Sequence, residues 1–174
     1  MKKSLFASAF VVLIGSLSVS SVLADDNLVK FKGGIGVIPI SSGVGAAATA
    51  TVVNRNIVRG VQPAGQIWRI ADLDATIKTN GDISVTGNGL VLAGGNNAGR
   101  ATGQSVFATL ICEAAAPFVE HSTNLTGVPL APNGDFKIDD VLTPLPPTDC
   151  ASPMLLIRTA DSTAWFAVGI PVLK

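Results

Sequence analysis

Beyond residue 24, apolar and polar positions alternate along most of this chain with the period of two that a half-buried strand requires. The clearest stretch is residues 126–142. Val128 and Leu130 alternate on one arm, Phe136 and Ile138 on the other, and Ala131-Pro132-Asn133-Gly134-Asp135 lies between them. Pro132 pre-sets φ for the second position of a type I turn, Asn133 suits the third, and Gly134 takes the left-handed position that follows. This predicts a three-residue hairpin loop with a glycine bulge. Leu130 should then pair with Phe136 and Val128 with Ile138, so that all four reach one face.

Residues 73–92 form a second unit. Leu73, Ala75 and Ile77 alternate with Asp74, Thr76 and Lys78; after Asn80-Gly81, Ile83 and Val85 alternate with Asp82, Ser84 and Thr86. A two-residue Asn-Gly turn would set Ile77 opposite Ser84 and bury a hydroxyl. A loop of three or five residues sets Ile77 opposite Val85. The odd-length loop is expected, because a one-residue slip turns every side chain to the wrong face. Further strands are predicted over residues 28–31, 34–40, 57–62, 67–70, 106–112, 154–158 and 165–170. Ala160-Asp161-Ser162-Thr163 is expected as the hairpin turn between the last two. The small-residue stretch 41–50 reads as a loop or irregular crossing, and Gly94-Gly95-Asn96-Asn97-Ala98-Gly99 as a second, mobile loop. No segment has sustained helical periodicity. About eight or nine short strands in one domain predict an all-β, antiparallel β-sandwich, immunoglobulin-like or jelly-roll-like.

The first 24 residues break this pattern. Lys2 and Lys3 precede an uncharged, largely apolar run over residues 5–17, and Val22-Leu23-Ala24 leads directly into Asp25-Asp26. This is the layout of a secretory signal peptide, with cleavage expected after Ala24. Residues 25–174 are then the mature β-sandwich domain, 150 of the 174 residues, and the expected location is secreted or periplasmic. The mature part carries ten Lys plus Arg against twelve Asp plus Glu, a formal charge of −2 with no block of like sign. Clustered Lys and Arg are the footprint of nucleic-acid binding, so that function is not expected. No later uncharged apolar run resembles a membrane helix. Leu145-Pro146-Pro147-Thr148-Asp149 lacks the glycine of a sortase motif and reads as a proline-rich loop.

Candidate chemistry is sparse. Cys112 and Cys150 are the only cysteines. In an oxidising compartment they should pair, leaving neither for metal binding or nucleophilic work. His121 is the only histidine and lies in the polar run Glu120-His121-Ser122-Thr123-Asn124. Without a Gly-x-Ser-x-Gly elbow it reads as an exposed loop residue rather than a triad member. A glycosidase needs two facing acids, and Asp72/Asp74, Asp139/Asp140 and Glu113/Glu120 are such pairs, as any strand protein offers. The first reads as solvent-facing and the second as a strand end or bulge. No spacing matches a zinc set or a calcium loop, and no cofactor is implied. Trp165 and Phe166 are consecutive in a strand, so one faces the core and the other is exposed or lies under a loop. Trp165, Asn96 and Asn97 are the candidate contact residues for an unknown protein or glycan ligand.

Val58-Arg59-Gly60-Val61-Gln62-Pro63-Ala64-Gly65, followed by Trp68 and Ile70, the block Gly89-Leu90-Val91-Leu92-Ala93 and the closing Trp165-Phe166-Ala167 resemble small uncharacterised exported bacterial proteins. The resemblance spans roughly residues 57–170, implies a secreted β-sandwich and carries no catalytic residues. A chaperone-assembled pilus subunit would place its disulfide in the N-terminal third and end on a penultimate tyrosine; this chain has no Tyr. An outer-membrane barrel would show aromatic girdles and longer strands. The leading expectation is a non-enzymatic binding or structural protein; the alternative is a secreted hydrolase using His121 or a carboxylate pair.

Overall fold

A computed structural model of the chain describes residues 26–44 and 52–172, so the segment read as a signal peptide lies outside the described residues. Among them there is no helix; the fold is all-β. The long strands are β1 (Asn27–Gly36), β5 (Asp72–Lys78), β6 (Asp82–Asn88), β8 (Ser105–Ile111), β11 (Phe136–Val141), β12 (Met154–Thr159) and β13 (Trp165–Pro171). Between them are the short β2 (Ile40–Val44), β3 (Val52–Arg55), β4 (Trp68–Arg69), β7 (Val91–Leu92), β9 (His121–Ser122) and β10 (Val128–Pro129).

The strand pairings are antiparallel, and the main sheet runs β10-β8-β12-β13-β1-β5-β6-β11, with β9 also on β8. Its two ends nearly meet. β9 and β10 lie in succession along the outer edge of β8. Ser122 of β9 exchanges backbone hydrogen bonds with Thr143, just past β11, at 2.9 and 2.8 Å. The result is a nearly closed, barrel-like sheet, where two facing sheets of a sandwich were expected. Two small ladders, β2-β3 and β4-β7, stand apart from it. The first and last long strands are neighbours: Ile35 pairs with Val168 and Gly36 with Ala167.

The alternation read in the sequence places the core. Leu73, Ala75, Ile77, Ile83, Val85, Phe136 and Ile138 are buried, while Asp74, Ser84, Thr86, Lys137 and Asp139 are exposed. β8 and β12 depart from it, with every residue from Val106 to Ile111 and from Leu155 to Thr159 buried. One face of this pair lies inside the barrel and the other under further chain. The segment ahead of β5 contributes to that cover, and Trp68 stacks on Phe166 with ring centroids 4.0 Å apart.

The registers refine two expectations. The β5-β6 loop is odd in length, but Ile77 pairs with Ile83, and Val85 pairs with Ala75. Gly81, at φ 87°, fixes the three-residue loop as Thr79-Asn80-Gly81, and a shift of two residues leaves every face unchanged. The 131–135 turn forms as read: Gly134 N–H donates to Ala131 O at 2.8 Å, and Gly134 has φ 86°. Its arms then part to different neighbours. Val128 pairs with Val106 of β8, and Ile138 with Val85 of β6. A sheet closing on itself needs a partner at each of its ends, and these two arms are the ends.

Other elements are corrected. Residues 28–31 and 34–40 were read as two strands; β1 takes in the first and most of the second, with a register shift between Phe31 and Gly34. Residues 57–62 are a two-residue turn, not a strand: Val58 and Val61 bond each other across Arg59 (φ 47°) and Gly60 (φ 85°). Ile40–Val44, assigned in part to a loop, is a strand paired with β3; residues 45–50 of that stretch lie outside the described residues.

Candidate functional site

The cysteines pair as expected, with Cys112 and Cys150 bonded and their Cα atoms 4.7 Å apart. Arg59 braces the same region. Its guanidinium donates to Ile111 O (2.9 Å), Ser152 O (2.6 Å) and Ser152 Oγ (2.7 Å). Burial lowers its pKa, opposed by the nearby Glu113 carboxylate.

His121 is not an exposed loop residue. It is 4% exposed and sits on β9 opposite Leu110. Nδ1 lies 2.8 Å from Pro144 O, and Nε2 is buried without a partner among the described residues. The polar run was misread because its side chains replace ladder partners: Thr123 Oγ1 accepts the Ala108 N–H at 3.0 Å, and Ser122 Oγ meets Thr109 Oγ1 at 2.9 Å. A carbonyl partner orients no nucleophile, and the ring presents no face to a substrate.

The acids are exposed or half-buried, and all but Asp72 are locally engaged. Asp74 lies 3.7 Å from Lys32. Asp139 is mid-strand, where a strand end was expected. It accepts from Ser84 Oγ at 2.7 Å and pairs with Lys137 at 2.7 Å; the two hold its carboxyl below the usual range, Lys137 foremost. Asp140 accepts the Asn124 N–H at 2.8 Å. Glu113 accepts the Val119 N–H at 3.1 Å, which lowers its pKa. Glu120 pairs at 2.5 Å with Arg158, whose side chain is 7% exposed and lies over the Phe107 ring. Among the described residues, no three of His, Cys, Asp and Glu gather as metal ligands.

Trp165 and Phe166 are both buried, contrary to strict alternation. The β12-β13 register shifts between Ile157 and Arg158, and residues 62–64 pair alongside Trp165, whose N–H donates to Gln62 O at 2.9 Å. The indole N–H donates to Asn56 O at 3.0 Å. Trp165 therefore offers no ring to a ligand in this structure.

The third candidate region, around Asn96 and Asn97, is exposed and well placed. The 92–100 loop is tied at its base, with Gly99 N–H donating to Leu92 O and Leu92 N–H to Arg100 O. It borders two open grooves. An apolar one of about 430 Å³ runs between Ile38, Ile40, Ile67 and Gly94-Gly95. A polar one of about 450 Å³ is lined by Gln66, Asn97, Thr102, Gln104, Asp161 and Ser162, with Trp68 and Phe166 beside them. Asn97 belongs to the second groove; Asn96 is exposed but lines neither. Sequence reasoning missed Gln66, Thr102 and Gln104, which lie in segments with no periodic pattern. It had marked Asp161 and Ser162 only as turn residues. Compared with known proteins, the chain matches no family model, no curated protein and no solved structure.

Proposed function

We propose that this chain is an exported, non-enzymatic protein, secreted or periplasmic, that acts by binding through the loops at one end of its barrel-like sheet. The observation that carries this reading is the separation of its polar chemistry. Asp74, Asp139, Asp140, Glu113 and Glu120 are each engaged with a local partner, and the one histidine is buried against a carbonyl. The two grooves beside the 92–100 loop gather amide, hydroxyl and aliphatic groups with a single carboxylate, Asp161. Catalysis on such a fold needs ionisable groups converging in a concave site. The Cys112–Cys150 bridge supports an oxidising destination, and the resemblance to small uncharacterised exported β-sandwich proteins agrees with it.

The test is a screen of the exported chain against ester, glycoside and peptide substrates, with His121→Ala as control, beside a pull-down from the native culture analysed by mass spectrometry. No turnover and a reproducible retained partner are expected. Turnover lost in a His121→Ala variant that still folds would overturn the reading.

A further inference from the structure

The polar groove beside the Trp68–Phe166 stack holds a set of groups with one chemical sense. Gln66 comes from the segment leading into β4, Asn97 from the 92–100 loop, and Thr102 and Gln104 from the approach to β8. Asp161 and Ser162 come from the β12-β13 turn. With Thr159 at the end of β12, three amides, three hydroxyls and one carboxylate therefore meet from four stretches of chain. Neither Lys nor Arg lines the groove, so nothing there compensates an anionic ligand. The amides and hydroxyls both donate and accept, and the carboxylate accepts at two oxygens. Thr159 Oγ1 donates to Gln104 Oε1 at 2.9 Å, which leaves the Gln104 amide N–H groups to donate. The Trp68 and Phe166 rings, buried and stacked on each other, lie beneath these groups as a rigid apolar support.

A second observation falls at the same place. Among the described residues, the non-glycine positions with positive φ are Arg59, Thr102 and Thr163. Thr102, at 54°, lines the groove, and Thr163, at 56°, is the next residue in the chain after the lining Ser162. A β-branched residue in this region is a conformational outlier. Such strain persists where the surroundings hold it, and it collects at ligand clamps. Arg59 has a structural use in bracing Ser152; the two threonines set the turns that carry Gln104, Asp161 and Ser162 to the groove.

We propose that this groove binds a neutral, hydroxyl-rich saccharide, its ring hydroxyls shared among Gln66, Asn97, Gln104 and Asp161. This rests on the binding reading above and names its ligand class. Sugar hydroxyls donate and accept in pairs, as this set does, and a groove of about 450 Å³ is of the size of small-ligand sites.

The test is an amide NMR titration of the ¹⁵N-labelled exported chain with three uncharged probes, maltotriose, cellotriose and tri-N-acetylchitotriose, and one anionic probe, a sulfated heparin trisaccharide. At least one neutral probe should shift the amides of Gln66, Asn97, Gln104 and Ser162. Asn97→Ala and Asp161→Asn should each weaken that probe about tenfold or more with the melting temperature unchanged. The proposal is overturned if no neutral probe binds at millimolar concentration, if only the sulfated probe binds, or if the shifts fall at Ile38 and Ile67 instead. Mass spectrometry of the recovered probes separates the two readings. A cleaved probe would overturn the non-enzymatic reading and leave the site standing, while intact probes with no shifts would overturn the site alone.

Discussion

At the residue scale, two glycines hold positions that no other residue fits. Gly134 combines φ 86° with close approach: a Cβ there would meet the Leu90 backbone, whose N–H donates to Gly134 O at 3.0 Å. Gly134→Ala should destabilise by about 1 kcal/mol or more, and a melting temperature equal to that of the parent would refute the turn assignment. Gly87 pairs with Phe136, whose ring occupies the space a Cβ would need. Gly87→Ala should cost about 1–3 kcal/mol by overpacking, measurable by urea denaturation. Asp139 gives a pH prediction. Its folded pKa is depressed, so the stabilisation from Lys137 and Ser84 is complete above the ordinary Asp range and fades as pH falls through the folded value. Carboxyl NMR should find its midpoint below that of a free aspartate, and Lys137→Ala should raise it. The group is exposed, so the effect on global stability should be small and should shrink with salt.

At the scale of elements, Arg59 joins the 58–61 turn to the end of β8 and to the loop after Cys150. Arg59→Gly relaxes the turn, since glycine accepts positive φ, yet removes all three hydrogen bonds. A net loss of about 1–3 kcal/mol is expected, and Arg59→Gly more stable than the parent would show that turn strain outweighs the brace. Removing the disulfide through Cys112→Ala with Cys150→Ala should cost roughly 3–4 kcal/mol on the chain-entropy account, and thiol titration of the unreduced, denatured parent should find no free cysteine. Several elements were legible from sequence: β5, β6 and β11 by alternation with the turns at Gly81 and Gly134, and β12 and β13 as apolar runs on either side of the 160–163 turn. Of the short strands, β4 falls within the expected strand 67–70 and β10 on the expected hairpin arm, while β2, β3, β7 and β9 were not read as such. β9 is two polar residues whose pairing is decided by β8, and β4 and β7 are two-residue contacts between segments distant in sequence. The burial of both Trp165 and Phe166 depends on a register shift against β12, which no local pattern encodes. Asn97 could be picked out because it sits in a glycine-rich loop; its neighbours across the groove come from other loops, brought together only by the closure of the sheet.

At the scale of the whole molecule, the chain order of the ring bears on when the protein can fold. β1 is held between β5 and β13, and its pairing with β13 waits for the last stretch of the chain. The Val172 N–H reaches back to Lys30 O at 2.8 Å, across nearly the full described length. While residues 165–172 are still unsynthesised, β1 and β12 each lack a neighbour on one edge. Backbone groups there remain open, and the loop-closure entropy of the longest contact has not been offset. A nascent or partly translocated chain is therefore held short of its native state by its own connectivity. An export pathway that threads unfolded polypeptide would receive such a chain without first having to pull it apart. A version ending at Ala164 should stay protease-sensitive however long it is left. A chain that includes residues 165–172 should resist protease, and, on the proposed export, its intact mass after secretion should correspond to a start at Asp25.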